Sequence, residues 1–144
     1  MCIRDRGRAL VGNAGVLLTR VEYLKDNGSK QFCVVDAAMN DLLRPALYGA
    51  WHDILPLRQD AAAGQVMDVV GPICESGDFI AKDRPVRAEA GQLLAIMGAG
   101  AYGFAMSSNY NTRPRPPEVL VHGHQHRLIR RRENWDDLMG MELP

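Results

Sequence analysis

Apolar positions along this chain fall into many short runs at regular spacing, separated by Gly, Pro, Asn and Asp breaks, with little helical periodicity. Residues 11–25 (VGNAGVLLTRVEYLK) mix alternation with β-branched side chains and end at Asp26-Asn27-Gly28, a strong turn signal. Residues 31–35 follow as a second run, so the two predict a hairpin. Residues 36–47 are richer in Ala, Leu and Met and predict a short helical excursion, which Pro45 limits to a turn or two before it. Residues 54–57 predict a brief strand, 59–64 a polar, Ala-rich loop, and 66–70 and 79–81 two strands bracketing a turn. Residues 92–97 predict a buried strand that runs into a glycine-dense loop, GAGAYG. Residues 113–117 (RPRPP) are held extended by their prolines. Residues 118–122 and 127–131 predict closing strands around a turn at Gly123, and Asn134 is placed to cap a last helix with Asp136 and Asp137 in its first turn. The pattern predicts a mainly β fold, a Greek-key-type barrel or sandwich with short helices.

Length and charge narrow the function classes. At 144 residues the chain has the size of one domain, small for an enzyme that must also enclose a large cofactor. Its 17 basic and 17 acidic side chains cancel, so no long-range field favours nucleic acid or an anionic membrane. Cys2, Cys33 and Cys74 are odd in number and unrelated in spacing, which argues against a disulfide framework or a structural zinc site and fits a reducing, cytoplasmic location. No apolar run approaches the roughly twenty residues of a membrane span. The opening MCIRDR has neither cap nor periodicity, and is expected to be a non-native start on a truncated chain; the fold is expected to begin near Gly7.

Three loops carry candidate chemistry. In GPICESGDFIAKDR a cysteine and a carboxylate lie side by side in a Gly/Pro-bounded turn: the Cys74 thiol can donate a proton to a carbanion, and Glu75 can bind an ammonium group. The bland alternative is a buried Cys and a solvated Glu at a hairpin end. In MNDLLRPALY, Arg44 and Tyr48 are four apart and would share a helix face, where a guanidinium fork and a phenol suit a carboxylate; an ordinary surface Arg and a half-buried Tyr are the alternative. In GAGAYG the glycines let backbone approach a ligand while Tyr102 projects. His122, His124 and His126 alternate in the manner of metal ligands on a strand, but Gly123 breaks the strand and no carboxylate is close in sequence, so an exposed hairpin tip is expected and no metal.

Taken in order, GRALVGNAGVLLTRVEYLK, FCVVDAAMNDLLRPALYGAWHDI, VVGPICESGDFIAKDR and GQLLAIMGAGAYGFAMSSNYNTRPRPPEVLV resemble the C-terminal domain of the diaminopimelate decarboxylases, pyridoxal-phosphate enzymes of the alanine racemase-like group. The resemblance covers nearly the whole chain after residue 6. It implies that residues 7–144 are the C-terminal β domain of a two-domain enzyme whose (β/α)8 barrel holds pyridoxal 5'-phosphate on a lysine outside this chain. It implies the conversion of meso-diaminopimelate to L-lysine and carbon dioxide. Cys74 then resembles the proton donor, Glu75 a ligand of the distal amino group, and Arg44 and Tyr48 binders of the distal carboxylate. Tyr102 resembles a residue touching cofactor and substrate, and Gly7 and Arg8 the end of a Glu-Pro-Gly-Arg motif that binds cofactor phosphate and substrate. Asp5-Arg6 stands where that motif has Glu-Pro. The resemblance also implies a homodimer in which the Cys-Glu loop enters the partner's active site, and inactivity of this chain alone. A non-catalytic β-rich domain that binds a ligand or partner is the competing expectation. A decarboxylase of another basic amino acid is disfavoured, because its substrate offers Arg44 and Tyr48 no distal carboxylate.

Overall fold

The computed structural model describes residues 6–58 and 64–143. Residues 1–5 of the expected non-native start, Cys2 among them, and residues 59–63 of the expected polar loop lie outside the described residues. The chain divides into two compact units, Met1–Ser107 and Ser108–Pro144, where length alone suggested one domain. Length bounds the surface a chain can bury, but it does not count self-contained sheets.

The first unit is built from α1 (Arg6–Val11), a 3-10 turn (Gly12–Ala14), β1 (Leu17–Asp26), β2 (Gln31–Val35), α2 (Arg44–Tyr48), β3 (Ile54–Pro56), β4 (Gln65–Val70), β5 (Phe79–Val86) and β6 (Leu93–Ile96). Its six strands form one nearly closed, barrel-like sheet in the order β3-β6-β1-β2-β4-β5, in keeping with the mainly β expectation. The expected hairpin of β1 and β2 is present, in register from Tyr23↔Val34 to Asp26↔Gln31, with a bulge before Tyr23 that shifts the pairing to Val21↔Val35. Its turn is fixed locally: Asp26 Oδ1 accepts from Gly28 N–H at 2.7 Å, and Asn27 Oδ1 from Lys30 N–H at 2.8 Å. The lower half of β1 pairs instead with β6, Leu17↔Ile96 to Arg20↔Leu93, so one strand bridges two neighbours. β2 and β4 run parallel, and the crossover between them carries α2 and β3.

Three boundaries differ from expectation by more than two residues. Residues 11–14 are helical rather than strand, because Gly12 to Ala14 form the turn that packs under the GAGAYG loop, where Gly100 N–H reaches Gly12 O at 3.1 Å. Pro45 opens α2 instead of ending a helix before it, sitting in the first turn where its missing N–H has no partner to lose. β5 runs five residues past Ala81: Asp83, at φ 50°, makes a bulge whose N–H donates to Asp68 Oδ1 at 2.7 Å, and β5 is an edge strand that tolerates Pro85.

The core is a continuous cluster of Val21, Val35, Leu42, Val69, Ile80, Leu94 and Ile96, each at most 1% exposed. Burying side chains of this size contributes about 1.5–3 kcal/mol each. Leu42, by its burial in this cluster, anchors the segment that enters α2. The second unit holds the hairpin of β7 (Glu118–His122) and β8 (Gln125–Arg130), with α3 (Trp135–Met139) after it in the chain. Asn134 caps α3 as expected, accepting from Asp137 N–H at 3.0 Å while Asp137 Oδ2 accepts from Asn134 N–H at 2.8 Å. His122 pairs with Gln125 around Gly123-His124, and His122, His124 and His126 are all exposed at this hairpin tip.

Candidate active-site loops

Helix α2 is a single turn. It starts after Leu43 with no side-chain cap and stops at Gly49, whose φ of 61° lets its N–H reach Pro45 O at 2.9 Å. Five residues suffice to put Arg44 and Tyr48 on one face, as the spacing requires. Tyr48 is exposed and Arg44 half-buried. The Arg44 guanidinium lies over the ring of Tyr102, 5.6 Å from its centroid, so the structure brings the LRPALY and GAYG loops together.

The GAYG loop is held from below. Ala99 N–H donates to Gly15 O at 2.8 Å, and Met106 N–H to Gly103 O at 3.0 Å. Gly15 and Gly100 pass so closely that a Cβ on either would strike the other's backbone, which is why this loop needs glycine there. At its apex Tyr102 is held at φ 58°, a region non-glycine residues seldom occupy, with its ring partly exposed.

Cys74 and Glu75 sit on a separate loop between β4 and β5, both exposed. A buried Cys with a solvated Glu is therefore not the arrangement; the buried thiol is Cys33 in β2, which desolvation pushes up to about 11. Sequence reasoning missed the residue that shapes this loop. Asp78, 4% exposed, accepts from Ile73 N–H at 2.7 Å and from Met39 N–H at 2.7 Å. An Asp after Gly77 is a recognisable turn former, but its reach to Met39 has no local signature.

Arg8 lies elsewhere, on α1, where it lines a cleft of about 400 Å³ with Asn13, Trp51, His52 and Asp53. Gly7 is exposed on the same helix. His52, also missed, is 5% exposed and its Nδ1 is 2.8 Å from Met97 O; a carbonyl only accepts, so Nδ1 carries the proton. The Arg84 guanidinium covers Trp51 and donates to His52 O at 3.3 Å, fixing this wall of the cleft. Among the described residues no cluster of three or more His, Cys, Asp or Glu is arranged to hold a metal ion, and no helix is long and apolar enough to cross a membrane.

The chain has relatives among known proteins. Residues 9–100 match the family model described as pyridoxal-dependent decarboxylase, C-terminal sheet domain. The chain is 60% identical to a diaminopimelate decarboxylase of Pseudomonas aeruginosa, over 96% of this chain and 33% of that protein. It is 54% identical to one of Vibrio cholerae, over 97% of this chain and 34% of that protein. Among solved structures, diaminopimelate decarboxylase from M. jannaschii in co-complex with L-lysine superposes with a TM-score of 0.90 at 40% identity, over 96% of this chain and 32% of that one. The chain thus spans about a third of the length of the relatives it matches. With a family model that takes in β1 to β6 and the loops carrying Arg44, Cys74 and Glu75, the chain belongs to the pyridoxal-dependent decarboxylases, through their C-terminal sheet domain.

Proposed function

We propose that residues 7–144 are the C-terminal domain of a diaminopimelate decarboxylase, which converts meso-diaminopimelate to L-lysine and carbon dioxide in the cytoplasm. The observation that carries this reading is the Arg44–Tyr102 contact, which joins two of the three motifs, with Tyr48 one turn along the same helix as Arg44. A guanidinium fork and a phenol on one helical face match a carboxylate, and among basic amino-acid substrates only one with two carboxylates leaves a distal one to hold.

The residues present suit pyridoxal phosphate as far as this chain would contribute to its site. Tyr102 presents a phenol from a backbone conformation that its loop enforces, and Gly7 and Arg8 are exposed, with open space around Gly7 and a guanidinium suited to phosphate. When bound, the cofactor supplies the electron sink that lets the substrate lose carbon dioxide. Arg44 and Tyr48 orient the distal carboxylate and Glu75 the distal ammonium, so that the reacting carbon is fixed. Cys74 gives its thiol proton to that carbon and is reprotonated from water. Cys74 and Glu75 stand exposed on a loop of their own, which fits their entering the active site of a second protomer in a homodimer. The Schiff-base lysine belongs to a barrel upstream of residue 7, so the 144 residues alone give no turnover.

The test is carbon dioxide release by the protein carrying its upstream residues, with meso-diaminopimelate, ornithine and arginine compared. Turnover of diaminopimelate at least about a hundredfold above the other two is expected. Equal turnover of ornithine would sink the assignment of Arg44 and Tyr48.

A further inference from the structure

We infer that Asp78 is a positioning residue that sets the Cys74-Glu75 loop against the segment leading into α2, through the two oxygens of one carboxylate. The kinetic consequence rests on the decarboxylase reading; the geometry does not.

The loop from Gly71 to Asp78 is closed on itself. Gly71 N–H donates to Asp78 O at 3.2 Å, Asp78 N–H to Glu75 O at 3.0 Å, and Glu75 N–H to Ile73 O at 2.8 Å. Inside that ring Asp78 Oδ2 takes the Ile73 N–H, so the residue just before Cys74 is pinned by the side chain that ends the loop. Oδ1 leaves the loop and takes the Met39 N–H. Met39 belongs to a turn that is itself fixed: Ala38 N–H donates to Asp41 Oδ2 at 3.0 Å, Leu42 N–H returns to Ala38 O at 3.1 Å, and Leu42 is wholly buried. Arg44 starts α2 two residues later.

Gly71 makes room for this carboxylate. A Cβ there would fall 2.7 Å from Asp78 Oδ1, nearer still to Oδ2, and 2.8 Å from Ala37 O. The pairing of a glycine with a buried aspartate at the two ends of the loop is thus one device. Two charge-assisted bonds from backbone N–H groups hold a carboxylate that would otherwise be costly to bury. Asparagine keeps the size but offers one acceptor and one NH2 group. The NH2 must face an N–H, so one of the two ties breaks.

The test uses the protein with its upstream residues, and measures backbone hydrogen exchange alongside kinetics. In the parent protein the Met39 and Ile73 amides are expected to be protected at least about a hundredfold relative to an exposed loop. In Asp78→Asn at least one of them is expected to lose that protection while amides of β1 and β6 keep theirs, which general destabilisation would not produce. With meso-diaminopimelate the same variant is expected to lose about tenfold or more in kcat, from displaced Cys74, and to raise KM several-fold, from displaced Glu75. Unprotected Met39 and Ile73 amides in the parent overturn the proposal even if the variant does not fold. So do protected amides with kcat and KM unchanged in Asp78→Asn. A parent protein that protects both amides yet turns over no diaminopimelate overturns the decarboxylase reading instead.

Discussion

Arg44 and Tyr102, distant in sequence, meet with the guanidinium 5.6 Å from the ring centroid, at the point where α2 faces the apex of the GAYG loop. The contact holds the guanidinium over an aromatic face and leaves its N–H edges for a ligand, so Arg44 is held in place before substrate arrives. Under the proposed decarboxylase function, Arg44→Ala in the protein carrying its upstream residues should raise KM for meso-diaminopimelate about 10–100-fold, the equivalent of a lost charge-assisted hydrogen bond. Lysine should restore little, since it cannot form the fork. A double-mutant cycle with Tyr102→Leu should show coupling of about 0.5–1 kcal/mol, and strict additivity would mean the contact has no energetic content.

The two described cysteines should behave oppositely toward an alkylating reagent. Cys74 is exposed, whereas Cys33 is fully buried with its thiol pushed up to about 11, so it has almost no thiolate at pH 8. With Cys2 replaced by serine, peptide mapping after iodoacetamide treatment of the native protein should find the label on Cys74 and none on Cys33. Equal labelling would mean that β2 opens on the timescale of the reaction. Under the proposed function, Cys74→Ala should fold normally and, in the protein carrying its upstream residues, lower kcat by about 10²–10⁴, the range of a general acid, with KM little altered.

The strands and turns are legible in the sequence because their signals are local. Asp26-Asn27-Gly28 makes its turn with its own side chains, and Asn134 caps α3 through residues three away. The illegible parts depend on neighbours remote in sequence. β5 continues through Lys82-Asp83-Arg84 because Lys30 Nζ, beyond the end of β1, lies 2.8 Å from Asp68 and 3.0 Å from Asp83, so a charged patch with the composition of a strand end is a paired bulge. Pro45 reads as a stop although it serves equally as a first-turn residue, and only the position of Leu42 in the core decides between them. Arg44, Tyr48, Cys74, Glu75 and Tyr102 can be named from residue type and motif. Asp78, Gly71 and His52 cannot, because their work lies in contacts with Met39, Ala37 and Met97.

Gly100 is the least replaceable glycine of the GAYG loop. A Cβ there would run into Val11 O and the backbone nitrogen of Gly15, neither of which is a flexible side-chain end. Gly100→Ala should destabilise the chain by about 1–3 kcal/mol, read from urea midpoints at constant m. Gly28→Ala, with open space around it but φ at 84°, should cost less, about 1 kcal/mol. Reversal of that order would show that the loop can lift off α1 without penalty.

Glu133 should give the second unit part of its acid sensitivity. Its carboxylate takes the Arg115 side chain at 2.6 Å, the Arg115 N–H at 2.8 Å and Asn109 Nδ2 at 2.7 Å, while Glu133 N–H returns to Arg115 O at 3.2 Å. The Arg115 hydrogen bond, ahead of the opposing desolvation, pulls Glu133 down to about 2 from its usual 4.5. A carboxylate whose folded value is depressed contributes stability in full above its unfolded value, and loses it as pH falls through the interval to its folded one. The contribution should therefore be complete above about pH 5, decline between about 4.5 and 2, and vanish below. Both side chains keep some solvent contact, 33% for Arg115 and 17% for Glu133, so screening reduces the expected amount to about 1 kcal/mol. Trp135 starts α3 two residues after Glu133, and Trp51 lies in the first unit. Fluorescence of a Trp51→Phe variant should report a urea midpoint that falls from pH 5 to pH 2.5, and Glu133→Gln should be less stable at pH 7 and flatter across that window. An unchanged slope in Glu133→Gln would assign the acid sensitivity to Asp137, likewise held at about 2 by the Arg131 hydrogen bond.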